Sequence, residues 1–269
     1  MKTIIISDLH NRVDWVEIAL SSPVLKPYNR VIFLGDYFDD YHDTTRIATN
    51  SAEWLKQSLY EPNRIHLVGT HDLWYRFPNN RFIPASGNSW EKAYAIRSVL
   101  TDEDWNLLKL FHYEQNFLMT HAGVSSHLIN SYVAQREYIY SKYTHIVHNE
   151  KVLDLNTQEV IDKIIKPATD EALIDISNNK SNPWLDAGYA RGGRQPVGGI
   201  IWLDWNAEFE PVPGLNQIVG HTEMKVPTQK ITNDSINYCL DTRNRHIGIL
   251  ENGKFSYVRT IDVLQGHLL

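Results

Sequence analysis

Val31-Ile32-Phe33-Leu34-Gly35-Asp36-Tyr37-Phe38-Asp39-Asp40-Tyr41-His42-Asp43 is the stretch that decides the fold. Its first four residues form a short apolar run, which reads as a buried strand. Gly35 ends the run, where the chain turns without a Cβ penalty. Carboxylates follow at 36, 39, 40 and 43. So dense a cluster repels itself and is costly to assemble without a cation. A carboxylate at the carboxyl end of a buried strand stands where open α/β sheets build their sites. Taken alone, the stretch reads equally well as a solvated acidic loop.

The flanking sequence repeats the pattern. Thr3-Ile4-Ile5-Ile6 reads as a strand ending in Ser7-Asp8-Leu9-His10, and Ile65-His66-Leu67-Val68 as one ending in Gly69-Thr70-His71-Asp72. Helical patterns over 11–20 and 44–59 separate these strands. The β-α-β-α order predicts a parallel sheet with the three strand ends on one edge. Further along, Phe117-Leu118-Met119-Thr120 leads into His121, Ile200-Ile201-Trp202-Leu203-Asp204 reads as a strand, and Gln217-Ile218-Val219 leads into Gly220-His221. Residues 74–89 read as an aromatic loop, and 90–111 as helix broken near Thr101 by an N-cap signal. The tail from Ile236 to Val258 reads as antiparallel sheet with hairpin turns. Residues 124–196 read as a helical insertion within one domain spanning 1–269, because no linker bounds it.

The 269 residues carry a net charge of −6, with no Lys/Arg run that would form a basic stripe. General nucleic-acid binding is therefore not expected. Cys239 is the only cysteine, which leaves no disulfide framework and no thiolate zinc site. Neither a signal peptide nor a membrane-length apolar run is present, so the expected setting is soluble and cytoplasmic.

Collected in order, Asp8, His10, Asp36, Asp39, His71, Asp72, His121 and His221 mix oxygen and nitrogen donors, without sulfur. They are too many for one ion. A pair of divalent cations sharing one carboxylate fits them best, and two-metal sites hydrolyse phosphoesters. His42, His66, His112, His127, His145, His148, His246 and His267 read as surface or packing histidines.

The ordered motifs D-x-H at 8–10, G-D-x-x-D at 35–39, G-T-H-D at 69–72, His121 and Gly220-His221 resemble those of the calcineurin-like metallophosphoesterases. Gly35-Asp36-Tyr37-Phe38-Asp39, Gly220-His221-Thr222 and Leu240-Asp241-Thr242 resemble the phosphoprotein phosphatase branch. That branch includes bacterial and phage Ser/Thr phosphatases and diadenosine tetraphosphatases. The resemblance implies a four-layer αββα sandwich. It also implies two divalent metals, with manganese first and iron, zinc, nickel or magnesium as alternatives. Asp8 and His10 would hold one ion, Asp36 would bridge, and His121 and His221 would hold the other. Thr70 stands where the family has a metal-binding Asn. A hydroxide between the metals would attack phosphorus, and His71, paired with Asp39, would protonate the leaving oxygen. Asp40-Tyr41 replaces an Arg-Gly that grips phosphate in the phosphatases, so Arg76, Arg191 or Arg194 would bind substrate instead.

The expected activity is therefore a phosphomonoesterase acting on a phosphoprotein or nucleotide. A dinucleoside polyphosphate or nucleotide phosphodiester hydrolase is the alternative. Thr70 raises a third reading, a catalytically weak or idle binding protein. Glu223, where the wider superfamily has a second histidine, reads as an exposed acid.

Overall fold

The computed structural model describes residues 1–83, 85–144 and 155–266. His145, His148 and His267, read above as packing or surface residues, lie outside them. The chain folds into two five-stranded sheets flanked by helices. The first sheet holds β1 (Lys2–Ile6), β2 (Arg30–Phe33) and β3 (Arg64–His66), with β9 (His246–Glu251) and β10 (Lys254–Arg259), in the order β10-β9-β1-β2-β3. The second holds β4 (Phe111–Glu114), β5 (Phe117–Thr120), β6 (Asn216–Val219), β7 (Thr228–Ile231) and β8 (Ile236–Cys239), in the order β4-β5-β6-β8-β7.

Strand alternation explains the layering. Ile5 of β1, Ile32 of β2 and Leu34 just after it cluster with Phe117, Met119 and Ile218 of the second sheet and with Leu240 just after β8, forming the seam between sheets. Their neighbours Ile4, Ile6, Val31 and Phe33 belong to the other core, under the helices. Every residue of these runs is buried, which is why they read as unbroken apolar stretches rather than as alternation. β1 pairs in parallel with β2, and β2 with β3. The loops after these strands, bearing Asp8, Asp36 and His71, therefore leave from one edge.

The helices are α1 (Val16–Ser21), α2 (Thr45–Leu59), α3 (Thr70–Arg76), α4 (Trp90–Arg97), α5 (Asp102–Leu107), α6 (Ser126–Thr144), α7 (Thr157–Val160), α8 (Lys166–Ser177) and α9 (Thr260–Gly266). Thr101 is an N-cap, as its sequence signal predicted, and Thr44 caps α2. A π-helical turn, Ile161–Ile165, joins α7 to α8. Ile161, Ile164, Ile165, Leu128 and Trp184 of the 124–196 segment share one core cluster with β1 and α2.

Four local readings need correction. The helix expected from Asn11 begins only at Val16, because His10 and Asn11 sit at positive φ and turn the chain first. The expected loop from Trp74 is helix as far as Arg76, with Trp74 and Tyr75 buried. Residues 200–204 are a turn, held by Trp202 N–H and Leu203 N–H donating to the Gly199 carbonyl at 2.8 and 3.0 Å. A short apolar run has no periodicity to separate a buried turn from a strand. In the tail, β8 runs parallel to β6 in the second sheet, while the β9–β10 hairpin, turning at Asn252-Gly253, edges the first. The tail thus divides between two sheets instead of forming one.

Glu114 of β4 ties the sheets together. Its carboxylate accepts from Thr3 of β1 and Arg30 of β2, and lies 3.2 Å from His112 Nε2. Burial pushes this carboxyl up, but His112, Thr3 and Arg30 outweigh burial and bring it from 4.5 to about 2. A depressed carboxyl contributes stability that is complete above the unfolded value and is lost as pH falls through the folded one. Glu114→Gln is expected to cost about 1–3 kcal/mol at pH 7. The gap between variant and parent should shrink between pH 4.5 and 2, as read by denaturant unfolding. An unchanged gap across that window would discard this linkage.

Candidate metal centre

Asp36 follows β2 and Gly35, at φ 54°. Its carboxylate belongs to two groups of potential ligands, His10–Asp36–His71 and Asp36–His121–His221, in each of which the donor atoms lie within 4.8 Å of one another. Asp36 Oδ2 is 3.3 Å from His121 Nε2 and 3.8 Å from His10 Nε2. Oδ1 accepts the His71 backbone N–H at 2.9 Å. Burial alone would raise the Asp36 carboxyl, but the imidazoles of His121, His71 and His10 outweigh it and hold it well below the usual range.

Backbone carbonyls orient the imidazoles. His10 Nδ1 lies 2.8 Å from the Asp39 carbonyl, and His121 Nδ1 lies 2.8 Å from that of Leu34. Each Nδ1–H donates there, which leaves Nε2 directed at Asp36. Burial disfavours the His121 imidazolium, but the Asp36 charge more than compensates and raises it. His221 is pushed well down by burial, then by His121 and Arg191. Asp8 is buried and accepts the His221 N–H on Oδ1 at 2.9 Å. It lies outside both ligand groups, and its carboxyl is pushed up by burial, Asp241 and Asp36. A Cβ on Gly220 would lie 2.2 Å from Asp8 Oδ2, so only glycine fits beside that carboxylate.

Asp8 Oδ2 and His221 Nε2 are buried without a hydrogen-bond partner among the described residues. Asp8, His10, Asp36, Asp39 and His221 all hold positive φ, which is uncommon outside glycine and costs of order 1–3 kcal/mol each. Orphaned donor atoms, a sulfur-free N/O set and strained backbone fit divalent cations. Thr70 Oγ1 reaches the Asp36 oxygens at 3.3 and 3.4 Å. Thr70→Asn would place a longer carbonyl donor at this buried position. It is expected to tighten metal binding roughly tenfold, read by calorimetric titration with manganese, because an added ligand or supporting contact is worth that much. Unchanged or weaker binding would show that the hydroxyl position does not face the ions.

Within the first candidate ligand group, His71 Nδ1 lies 3.1 Å from Asp39 Oδ2. Burial opposes the His71 imidazolium, but Asp36 and then Asp39 outweigh it, bringing it from 6.5 to about 9. Two partners of this pair, and a carboxylate that braces the loops behind it, were assigned no such role from sequence. Lys92 Nζ and the Tyr75 hydroxyl each donate to Asp39 Oδ1 at 2.5 Å. Asp72, fully buried, accepts the N–H groups of Asp36, Tyr37 and Gly69, each at 2.8 Å, pinning the β2 loop to the α3 N-terminus. Burial and the Asp36 charge raise the Asp72 carboxyl to about 7. Asp72 had a visible signal as the acid of the G-T-H-D motif; Lys92 and Tyr75 had none.

The predicted arginines separate. Arg191 donates to Thr222 Oγ1 at 2.8 Å and pairs with Asp204 at 2.9 Å, next to His221. Arg194 is exposed three residues on. Arg76 leaves the site: it donates to the Trp105 carbonyl and to Asn106, and stacks on Phe77. Arg12, unassigned from sequence, donates from Nε and Nη2 to Asp40 at 2.9 and 2.7 Å, where the phosphatases carry their Arg-Gly. Glu223 is half exposed and pairs with Arg245. His66, by contrast, is a packing histidine, stacked on Phe33 and pushed down to about 3 by burial.

The calcineurin-like phosphoesterase family profile matches residues 1–222. No curated protein sequence matches the chain. Among solved structures, it resembles a cold-active protein-tyrosine phosphatase of a psychrophilic Shewanella species, at 14% identity and TM-score 0.50, covering 96% of this chain and 78% of that one. A metallophosphoesterase from Sphaerobacter thermophilus shares 14% identity at TM-score 0.44, covering 100% and 92%. A phosphoesterase from E. coli shares 9% at TM-score 0.41, covering 97% and 94%. The first likeness speaks to the fold alone, and the other two are too loose to carry an argument.

Proposed function

Because the chain belongs to the calcineurin-like phosphoesterase family, it is a metal-dependent phosphoester hydrolase, and we propose that it hydrolyses a phosphomonoester with two divalent cations. One observation carries this reading: Asp36 is common to both ligand groups, and the His71–Asp39 pair stands against it. Asp36 would bridge the ions, with Asp8 and His10 on one side and His121 and His221 on the other. When bound, the cations supply a water nucleophile of lowered pKa and positive charge for the phosphoryl oxygens. The protein's own residues do the rest. The carbonyls of Asp39 and Leu34 fix the tautomers of His10 and His121. Asp72 locks the two loops that carry Asp36 and His71. Asp39 holds Nδ1 of His71, leaving the imidazolium to give its Nε2 proton to the leaving oxygen. A monoester is favoured because the phosphatase-type motifs of the sequence line this centre, and because Arg191 adds a guanidinium beside His221.

The test is hydrolysis of p-nitrophenyl phosphate against bis-p-nitrophenyl phosphate, after EDTA treatment and with manganese, nickel, zinc or magnesium restored. Metal-dependent preference for the monoester is expected. Preference for the bis-ester would replace this reading with a phosphodiesterase. No turnover with any cation would favour the idle binding protein, in which Thr70 weakens the centre. Among the described residues, no helix is long and apolar enough to cross a membrane.

A further inference from the structure

A cavity of about 550 Å³ adjoins the metal centre on its His221 side. Two of its lining residues make the connection. The Trp202 ring stands edge-on to His221 at 5.8 Å, and Arg191 hydrogen-bonds Thr222. Arg81 and Arg194 line the cavity as well, so three arginines border one space in a chain whose net charge is −6. The acid on its wall, Asp186, is already occupied by Ser181 and by Gln195 at 2.9 Å. Arg81 and Arg194 form no ion pair with any described residue.

The loop carrying Arg191 and Arg194 is pinned, although rich in glycine. Tyr189 N–H donates to Gln195 at 2.9 Å, and Gly193 N–H to Gly188 at 2.9 Å. Glu208 accepts the Ala190 and Gly198 N–H groups, each at 3.0 Å. Like charges gathered at one cavity repel unless an anion joins them, and guanidinium forks match phosphate and carboxylate oxygens. A space of this size suits a small molecule.

We propose that this cavity holds the body of a small phosphomonoester that carries a second anionic group, bound by Arg81 and Arg194 while the scissile phosphate lies at the metal centre. The proposal rests on the phosphomonoesterase reading and names its substrate class. Arg191, tied to Thr222 and Asp204, joins the cavity wall to the loop that carries His221.

The experiment compares fructose 1,6-bisphosphate with fructose 6-phosphate on the metal-loaded full chain. The bisphosphate is expected to have a kcat/KM higher by roughly tenfold or more, beyond the about twofold due to its second ester, since one good charged contact is worth about a factor of ten. In Arg81→Gln and Arg194→Gln that ratio should fall toward about twofold, through KM rather than kcat, because the lost contact is present in ground and transition states alike. Both substrates are read on one preparation, so a misfolded fraction cancels. A parent ratio near twofold, with p-nitrophenyl phosphate still hydrolysed, overturns the cavity assignment and leaves the phosphomonoesterase reading intact. Equal gain from an acidic phosphopeptide over its neutral counterpart, lost in the same variants, also overturns it, in favour of a protein substrate. If no cation supports turnover of any monoester, the phosphomonoesterase reading fails. The same pair is then compared by calorimetric binding to the metal-loaded chain, where equal affinity overturns the cavity assignment too.

Discussion

His71→Asn is expected to lower kcat toward an alkyl phosphomonoester by about 10²- to 10⁴-fold, the range over which a positioned acid contributes. The loss should be far smaller, about tenfold, with p-nitrophenyl phosphate, whose leaving group departs readily without a proton. This leaving-group dependence separates proton donation from metal binding. Were His71 mainly a ligand in the His10–Asp36–His71 group, both substrates would suffer alike and metal affinity would fall. The pH profile carries a second signature. If His71 is the proton donor, the competent form is the imidazolium, which Asp36 and Asp39 favour against burial up to about 9. Activity should therefore fall as pH rises toward that value, and earlier with cations bound, because their charge opposes the imidazolium. Asp39→Asn should move the alkaline limb to lower pH. An unmoved limb would remove Asp39 from the proton-transfer pair.

Lys92→Met is expected to destabilise the fold by about 3–5 kcal/mol, the usual cost of removing one partner of a buried ion pair. Lys92 enters from α4 and is buried, with Nζ 2.5 Å from Asp39 and 3.1 Å from both oxygens of Asp43. Without it, Asp39 retains Tyr75 and His71, while Asp43 retains Asn11. Asp39 is buried and Asp43 partly buried, and the two would face one another's charge with no lysine between them. The melting temperature should fall by about 10 °C, given about 2–4 °C per kcal/mol for chains approaching this length. Lys92→Met combined with Asp39→Asn should recover part of the loss, because the second change removes one of the stranded charges. A melting temperature within about 2 °C of the parent would mean that water or Arg12 compensates, and Lys92 would lose its structural role.

How much of this was legible varies residue by residue. Asp8, His10, Asp36, His71, His121 and His221 could be collected from the sequence because each follows an apolar run, and a run with its terminal residue is a local signal. The parallel pairing of β1, β2 and β3 then followed from the order of strands and helices. The capping threonines of α2 and α5 were equally local. The turn at residues 200–204 was misread because an apolar run shorter than one amphipathic period has only one face to show. The tail was misread because alternation records that a strand has a buried side, without recording which sheet provides it.

Arg76 shows the limit most plainly. It lies five residues after His71, but five residues of helix turn its side chain by about 140°, away from the centre and toward Trp105. Lys92 reaches Asp39 across 53 positions, and Arg12 reaches Asp40 across 28. The sequence alone determined which groups end the strands, hence the candidate donor set and the class of chemistry, since those depend on neighbours along the chain. Only the tertiary structure decided which cation supports Asp39, which arginines share the cavity and which one leaves the site. Those choices depend on helix rotation and on how the two sheets pack, and no local pattern encodes either.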